Sequence, residues 1–275
     1  MYNNRMRKLF ALTLIILSLM VLPSCTLSQS DNTSQSQSDF YAVTDYIDGF
    51  YEKDIINANF LIEYTAYKGP YFSGNASKSS NCGSGIIFSM QELEDSGVYV
   101  YYLLTNNHVV YNRPDYDRFE CSVVDCFGYS HPAKVEYGDA DYDLAVVSFE
   151  SSEHFKVLEF ALADPVVGDT VASLGSPGGI INSVTVGKVL SYRQITLSNS
   201  DGDSEDYSNV QFSVIKHDSY VTNGSSGGAL INKDYKICGI NYAAAVVEDS
   251  YEFVSGYAIP VESVKQFLLD NFYVQ

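Results

Sequence analysis

The chain has 275 residues, with 34 acidic against 16 basic side chains and a formal charge of −18. A surface of that sign repels nucleic-acid phosphates and anionic headgroups, so nucleic acid is not expected as a partner. No cysteine–histidine ligand spacing occurs, which argues against a structural zinc site.

The first element is a targeting device. Arg5, Arg7 and Lys8 precede an apolar run from Leu9 to Leu22, followed by Pro23-Ser24-Cys25. A helix over that run spans about 21 Å, short of the roughly 30 Å hydrocarbon core, so residues 1–24 read as a cleaved signal peptide. The Leu22–Cys25 ending resembles the bacterial lipobox, in which the cysteine is acylated and becomes the mature N-terminus. That resemblance implies lipidation at Cys25 and an extracytoplasmic protein anchored to the cell membrane. Pro23 departs from the pattern and leaves secretion after ordinary cleavage as the alternative. Residues 25–43, dominated by Ser, Gln, Asn, Thr and Asp, read as a flexible polar tether that cannot build a core. Removing the signal makes the chain three charges more negative, which fits a solubilising surface better than a preference for basic substrates.

Residues 44–275 are expected to fold. Thr44 can cap a short helix from about Asp45 to Asn57, although Gly49 weakens it. Short β-prone segments follow at Phe60–Tyr67, Gly85–Ser89, Val98–Thr105, Phe119–Asp125, Ala133–Tyr137 and Leu144–Phe149. Ser152–Val167 reads as a connector. A second series lies at Thr170–Leu174, Ser183–Tyr192, Val210–Lys216, Ala229–Ile231, Lys236–Ala245 and Phe253–Ala258. Their Gly, Asp, Asn and Pro punctuation predicts an all-β antiparallel barrel or sandwich. The period then changes: Pro260 can open a helix whose Val261, Val264, Phe267, Leu268 and Phe272 share one face.

Four cysteines remain after Cys25: Cys82, Cys121, Cys126 and Cys238. Cys121 and Cys126 are near enough for a local bridge, and buried free thiols are the other reading.

The segment Gly224-Ser225-Ser226-Gly227-Gly228 places a serine among glycines ahead of an apolar strand. Such an elbow can expose a hydroxyl and surround it with backbone N–H groups, as acyl transfer requires. Serine is a poor nucleophile at neutral pH and needs a neutral imidazole, itself held by a carboxylate. His108, in the turn Thr105-Asn106-Asn107-His108, is the best base, since His131, His154 and His217 lack such a setting. Asp143 directly precedes a strand, whereas its neighbours Asp139 and Asp141 lie in a looser acidic turn. Ser226 rather than Ser225 has the register that turns the N–H groups of Gly224 and Ser226 toward a developing oxyanion.

Thr105–Val110, Asp143–Val146 and Gly224–Leu230 resemble the three catalytic segments of trypsin-like peptidases, nearest to the bacterial HtrA/Deg type. Gly83-Ser84-Gly85-Ile86-Ile87, Ser173–Gly179, Val186–Val189 and Cys238–Asn241 extend the likeness over residues 58–272. The resemblance implies two six-stranded β-barrels, about 58–150 and 166–259, with a closing helix at 261–272. It also implies a His108–Asp143–Ser226 triad, an oxyanion hole from Gly224 and Ser226, and no cofactor. Protein or peptide would be the substrate. Tyr220 is implied near the base of the primary pocket, and Tyr242, Ala243 and Ala244 along the substrate strand. Family members usually carry Asn or Asp where this chain has Ser225, which would hold the oxyanion loop less firmly. No PDZ segment is matched, which makes a monomer the simpler expectation.

Two other functions fit part of the pattern. One is a catalytically weak or inactive surface lipoprotein that uses the fold as a binding module. The other is a glutamyl-specific or exfoliative-toxin-like peptidase, for which His217 would be the acid-binding group. Asp201–Asp206 lacks the spacing of a calcium loop and reads as an exposed acidic loop.

Overall fold

The structure, a computed structural model, describes residues 33–69, 77–94, 96–195, 208–247 and 249–272. Residues 1–24 expected as a signal peptide, Cys25, and residues 201–206 expected as an acidic loop lie outside the described residues. The chain divides into two units, Met1–Glu52 and Lys53–Gln275.

The described part of the first unit is one helix, α1 (Thr33–Glu52). It starts and ends earlier than the expected Asp45–Asn57, taking up residues assigned to the tether. Its continuation stops because Asp54 adopts the left-handed conformation at φ 57°, which breaks the run of helical dihedrals. A single 3-10 turn, Ile55–Ala58, follows in the second unit. Among the described residues no helix is long and apolar enough to cross a membrane.

Among the described residues the second unit contains twelve strands in two closed barrels. The first barrel comprises β1 (Asn59–Lys68), β2 (Ser77–Glu92), β3 (Tyr99–Thr105), β4 (Arg118–Val124), β5 (Ser130–Asp139) and β6 (Leu144–Ser151), in the order β1-β2-β3-β6-β5-β4. The second comprises β7 (Thr170–Gly175), β8 (Ser183–Arg193), β9 (Val214–His217), β10 (Ala229–Ile231), β11 (Ile237–Val246) and β12 (Phe253–Pro260), ordered β10-β11-β12-β9-β8-β7. Every pairing within them is antiparallel. The β-prone segments map onto these strands, but β5 extends beyond Ala133–Tyr137 at both ends, β9 starts at Val214 rather than Val210, and β2 differs most. β2 is far longer than Gly85–Ser89, because it bends: its first half pairs with β1 and its second half with β3. Ser77–Cys82 is mostly polar and exposed, so no apolar period announces it.

The two barrels are filled differently. Phe60, Tyr101, Phe149 and Phe155 cluster in the first, with neighbouring ring centroids 5.0–5.7 Å apart. The second closes on Val171, Val189, Ile215, Leu230, Ala258 and the buried thiol of Cys238. All four cysteines Cys82, Cys121, Cys126 and Cys238 are free, so the local Cys121–Cys126 bridge does not form. Burial pushes the Cys121 thiol up to about 12 and that of Cys126 to about 11, which keeps both protonated.

The closing helix, α3 (Val261–Asn271), buries Val261, Val264, Phe267 and Leu268 as its periodicity predicts. Phe272, at its end, packs edge-on against Phe88 and Tyr102 of the first barrel. Phe267 likewise meets Tyr137 and Tyr142 at 6.1 and 5.8 Å. The helix, which follows β12 of the second barrel, thereby packs back onto the first. Phe267→Ala is expected to lower unfolding free energy by about 3–5 kcal/mol, read from the urea midpoint. Leu269→Ala, on the exposed face, should change it by no more than about 0.5 kcal/mol.

Candidate active site

His108 sits in the second position of a one-turn helix, α2 (Asn107–Val110), directly after β3. Polar groups fix this turn from both sides. The Asn81 amide on β2 donates to the His108 and Val109 carbonyls at 3.2 Å each. Asp143 has no exposed surface, and both its carboxylate oxygens face His108. The His108 backbone N–H donates to Oδ1 at 2.8 Å, and the ring Nδ1 lies 2.6 Å from Oδ2. The ring nitrogen facing a carboxylate must carry the proton, which leaves Nε2 as the basic nitrogen. Asp143 itself is held at φ 47°, left-handed for a non-glycine residue. Its carbonyl accepts from the Asn106 amide at 2.9 Å, which overdetermines the strained conformation.

The sequence rivals of Asp143 stay in their turn: Asp139 accepts from the Asp141 N–H, and Asp141 accepts from Asn209. A second histidine–aspartate pair, His131 with Asp125 at 3.0 Å, was not visible in the sequence. Asp125 also caps the Phe127 and Tyr129 N–H groups, and His131 lies among Phe60, Phe149 and Phe155. That pair closes a turn under the aromatic cluster.

The two candidate serines separate clearly. Ser225 is buried, and its hydroxyl accepts from the Thr222 N–H at 3.1 Å, bracing the elbow from inside. Ser226 is half-buried, and its carbonyl accepts from Ser84 N–H at 2.7 Å. A Cβ placed on Gly83 would fall 2.7 Å from the Val109 side chain and 3.0 Å from the Ser226 carbonyl oxygen. The histidine turn and the serine elbow therefore close on the same point of β2. The Ser226 hydroxyl and the His108 ring are not hydrogen-bonded to each other in this structure.

Gly224 has φ +92°, and a Cβ there would lie 2.6 Å from the Ser176 carbonyl oxygen, so only glycine fits. The preceding carbonyl, of Asn223, accepts from Gly178 N–H at 2.8 Å. Because a trans peptide is planar with C=O and N–H opposed, the Gly224 N–H points to the other side, away from the Pro177–Gly179 turn. Ser84 clamps this arrangement. Its hydroxyl donates to the Gly224 carbonyl and accepts from Ser176 N–H, both at 2.7 Å, while its own carbonyl accepts from Thr105 Oγ1 at 2.8 Å. The sequence marked Ser84 only as part of a glycine-flanked motif.

Of the residues implied at a substrate pocket, Tyr220 is half-exposed and rests on Phe253 at 5.1 Å. Ala243 is half-buried and Ala244 exposed on β11. Tyr242 is buried, and its hydroxyl meets Ser208 at 3.2 Å. It is skipped in the β11–β12 register, which shifts between Asn241 and Ala243. β10 pairs only as far as Ile240, so from Tyr242 onward β11 has β12 on one side and no strand on the other among the described residues. His217 reaches no surface, so the group that a glutamyl preference would use is sealed inside the second barrel. A polar-lined cavity of about 610 Å³ lies on the outer face of the first barrel and contains none of the candidate site residues. No group of three or more potential metal ligands occurs among the described residues.

Ser84→Ala would leave the Gly224 carbonyl and Ser176 N–H buried without partners, an expected loss of about 2–4 kcal/mol measured by urea unfolding. Burial lowers His217 from its ordinary value to about 4. The unfolded chain therefore takes up a proton below pH 6.5 that the folded chain refuses until about pH 4. Stability present above that window is lost as pH falls through it. Relative to His217→Asn, the wild type should lose on the order of 3 kcal/mol more between pH 7 and pH 4.

The model of the trypsin-like peptidase domain matches residues 83–240. Serine protease Do-like HtrA of Bacillus subtilis is 34% identical over 190 residues, covering 68% of this chain and 38% of the relative. Mitochondrial serine protease HTRA2 of Drosophila ananassae is 32% identical over 203 residues, with 72% and 41% covered. The chain thus spans less than half the length of these relatives. A solved HtrA-type protease with a decapeptide superposes with a TM-score of 0.58 at 24% identity, covering 78% of this chain and 64% of its own, a likeness of fold. With two closed barrels and that matched domain, this chain belongs to the trypsin-like peptidase family.

Proposed function

We propose that the chain is a serine endopeptidase that cleaves peptide bonds through Ser226, His108 and Asp143. The observation that carries this reading is the buried Asp143 carboxylate, spent entirely on the His108 backbone and Nδ1. It orients Nε2 as the free base and stabilises the imidazolium that forms when the ring takes the Ser226 proton. The serine oxygen then adds to the scissile carbonyl. The N–H groups of Gly224 and Ser226 receive the developing oxyanion, and neither is spent on another backbone carbonyl. Collapse expels the amine, which takes its proton from His108, and water releases the acyl group by the reverse steps.

The acyl half of the substrate would add as a strand to the open edge of β11 at Ala243 and Ala244, with Tyr220 bordering its first side chain. The negative surface does not choose that side chain. Export by the signal segment and attachment through Cys25 would place the enzyme on the outer side of the cell membrane. The missing Ser226–His108 hydrogen bond favours the second reading, a silent binding module, although such bonds are commonly long before substrate arrives.

Reaction of the purified protein with a fluorophosphonate, together with cleavage of fluorescein-labelled casein, separates the two. Wild type is expected to do both, and Ser226→Ala neither. Asp143→Asn should retain the fold and lose roughly 10⁴-fold in turnover. A folded wild type that neither labels nor cleaves would establish the binding module.

A further inference from the structure

His217 lies opposite Val189 on one side and Gly256 on the other, inside the second barrel. A Cβ on Gly256 would fall 2.2 Å from its Cε1, so the ring occupies the space above that glycine. Its Nδ1 is 2.7 Å from Ser219 Oγ, which is 2.8 Å from Ser173 Oγ, and Ser173 donates to Asn241 Oδ1 at 3.2 Å. All four side chains are buried.

The direction of this chain follows from proton counting. The Ala229 carbonyl can only accept, so the Asn241 amide nitrogen, at 3.4 Å, is the atom turned toward it. Oδ1 is left facing Ser173. A serine hydroxyl has one proton, and that of Ser173 goes to Asn241. Ser219 must then donate to Ser173, which leaves its oxygen to accept from Nδ1–H of His217. The opposite ring atom, Nε2, is consequently a bare lone pair, and it is buried without a partner.

The far end of the chain reaches the nucleophile elbow. Asn241 N–H donates to the Gly228 carbonyl at 2.7 Å, and its carbonyl accepts from Gly227 N–H at 2.9 Å. These are the two residues after Ser226. Asn241 is paired with Ala258 of β12 immediately before the β11–β12 register shift, so backbone and side-chain bonds together hold it.

We propose that His217 is a positioning residue for the nucleophile elbow: protonated on Nδ1, it starts a one-way relay through Ser219 and Ser173 that holds Asn241, and through it Gly227 and Gly228. The unpartnered Nε2 is the cost of that tautomer. Its kinetic consequences rest on Ser226 being the nucleophile, whereas the tautomer rests on hydrogen-bond direction alone.

Two measurements test this. In protein labelled with ¹⁵N-histidine, the His217 signals, identified by their loss in His217→Asn, should show a protonated Nδ1 and an unprotonated Nε2. A proton on Nε2 overturns the proposal. In the second, inactivation by a fluorophosphonate is resolved into kinact and KI. His217→Leu, with no donor, should lower kinact about tenfold while KI stays within about twofold. His217→Asn, whose amide nitrogen can take the place of Nδ1, should remain within about threefold of wild type in kinact. Equal losses in both variants, or none in His217→Leu, overturn the proposal. If His217→Leu does not fold, Ser219→Ala breaks the same relay and carries the same expectation. A wild type inert to the reagent removes the proposed nucleophile, and the nitrogen spectrum then decides the relay alone.

Discussion

Four hydrogen bonds converge on one buried residue, Ser84, and they join the two barrels at the point where the elbow turns. Its backbone N–H holds the Ser226 carbonyl, and its hydroxyl bridges Gly224 and Ser176. Its carbonyl anchors Thr105, the last residue of β3 before the histidine turn. Each barrel is a closed sheet with its own core, so neither needs the other for its ladder. What sets their relative position at the site is polar and directional. Buried polar groups tolerate few alternative arrangements, because any slip leaves donors and acceptors stranded. Gly83 reinforces this by letting Val109 and Ser226 approach closer than a side chain would allow.

Strain is concentrated at the same place. Asp143 is left-handed and fully buried, and Gly224 and Gly227 have φ of +92° and +84°. A Cβ on Gly227 would lie 2.2 Å from the Ser84 carbonyl oxygen. Conformations of this kind cost of order 1–3 kcal/mol each for non-glycine residues and persist when neighbours overdetermine them. At Asp143 the neighbours are Asn106 and His108, which together occupy its carbonyl and both carboxylate oxygens. Ser225 does a similar task for the elbow with its hydroxyl. Its bond to Thr222 N–H spans three residues, so a short side chain suffices for local bracing.

Three of the histidines, His108, His131 and His217, show how environment decides the use of one side chain. His108 keeps about a fifth of its side chain exposed beside a buried carboxylate, which suits a proton acceptor. His131 makes a comparable bond to Asp125 but is enclosed by aromatic rings and a turn. His217 has serine as its partner instead of a carboxylate, and burial keeps its ring neutral down to about pH 4. A neutral ring has a definite tautomer, and only a definite tautomer can give a hydroxyl chain one direction.

Much of the fold is legible in the sequence. Alternating strands with Gly and Asp punctuation, the change of period after Pro260, and the three motifs around His108, Asp143 and Ser226 are local patterns, and local patterns survive in one dimension. Where polarity masked the period, as in Ser77–Cys82 of β2, the strand was missed. The helix boundary moved because a left-handed Asp54 has no compositional signature. The free state of the cysteines, the clamp at Ser84 and the second pair His131–Asp125 depend on partners far apart in the chain. By itself the sequence marked the candidates for acid–base and nucleophilic chemistry and determined that the chain folds as strands. Only the tertiary structure decided which polar atoms meet, because a hydrogen bond is set by distance and angle between groups that closure of the barrels brings together.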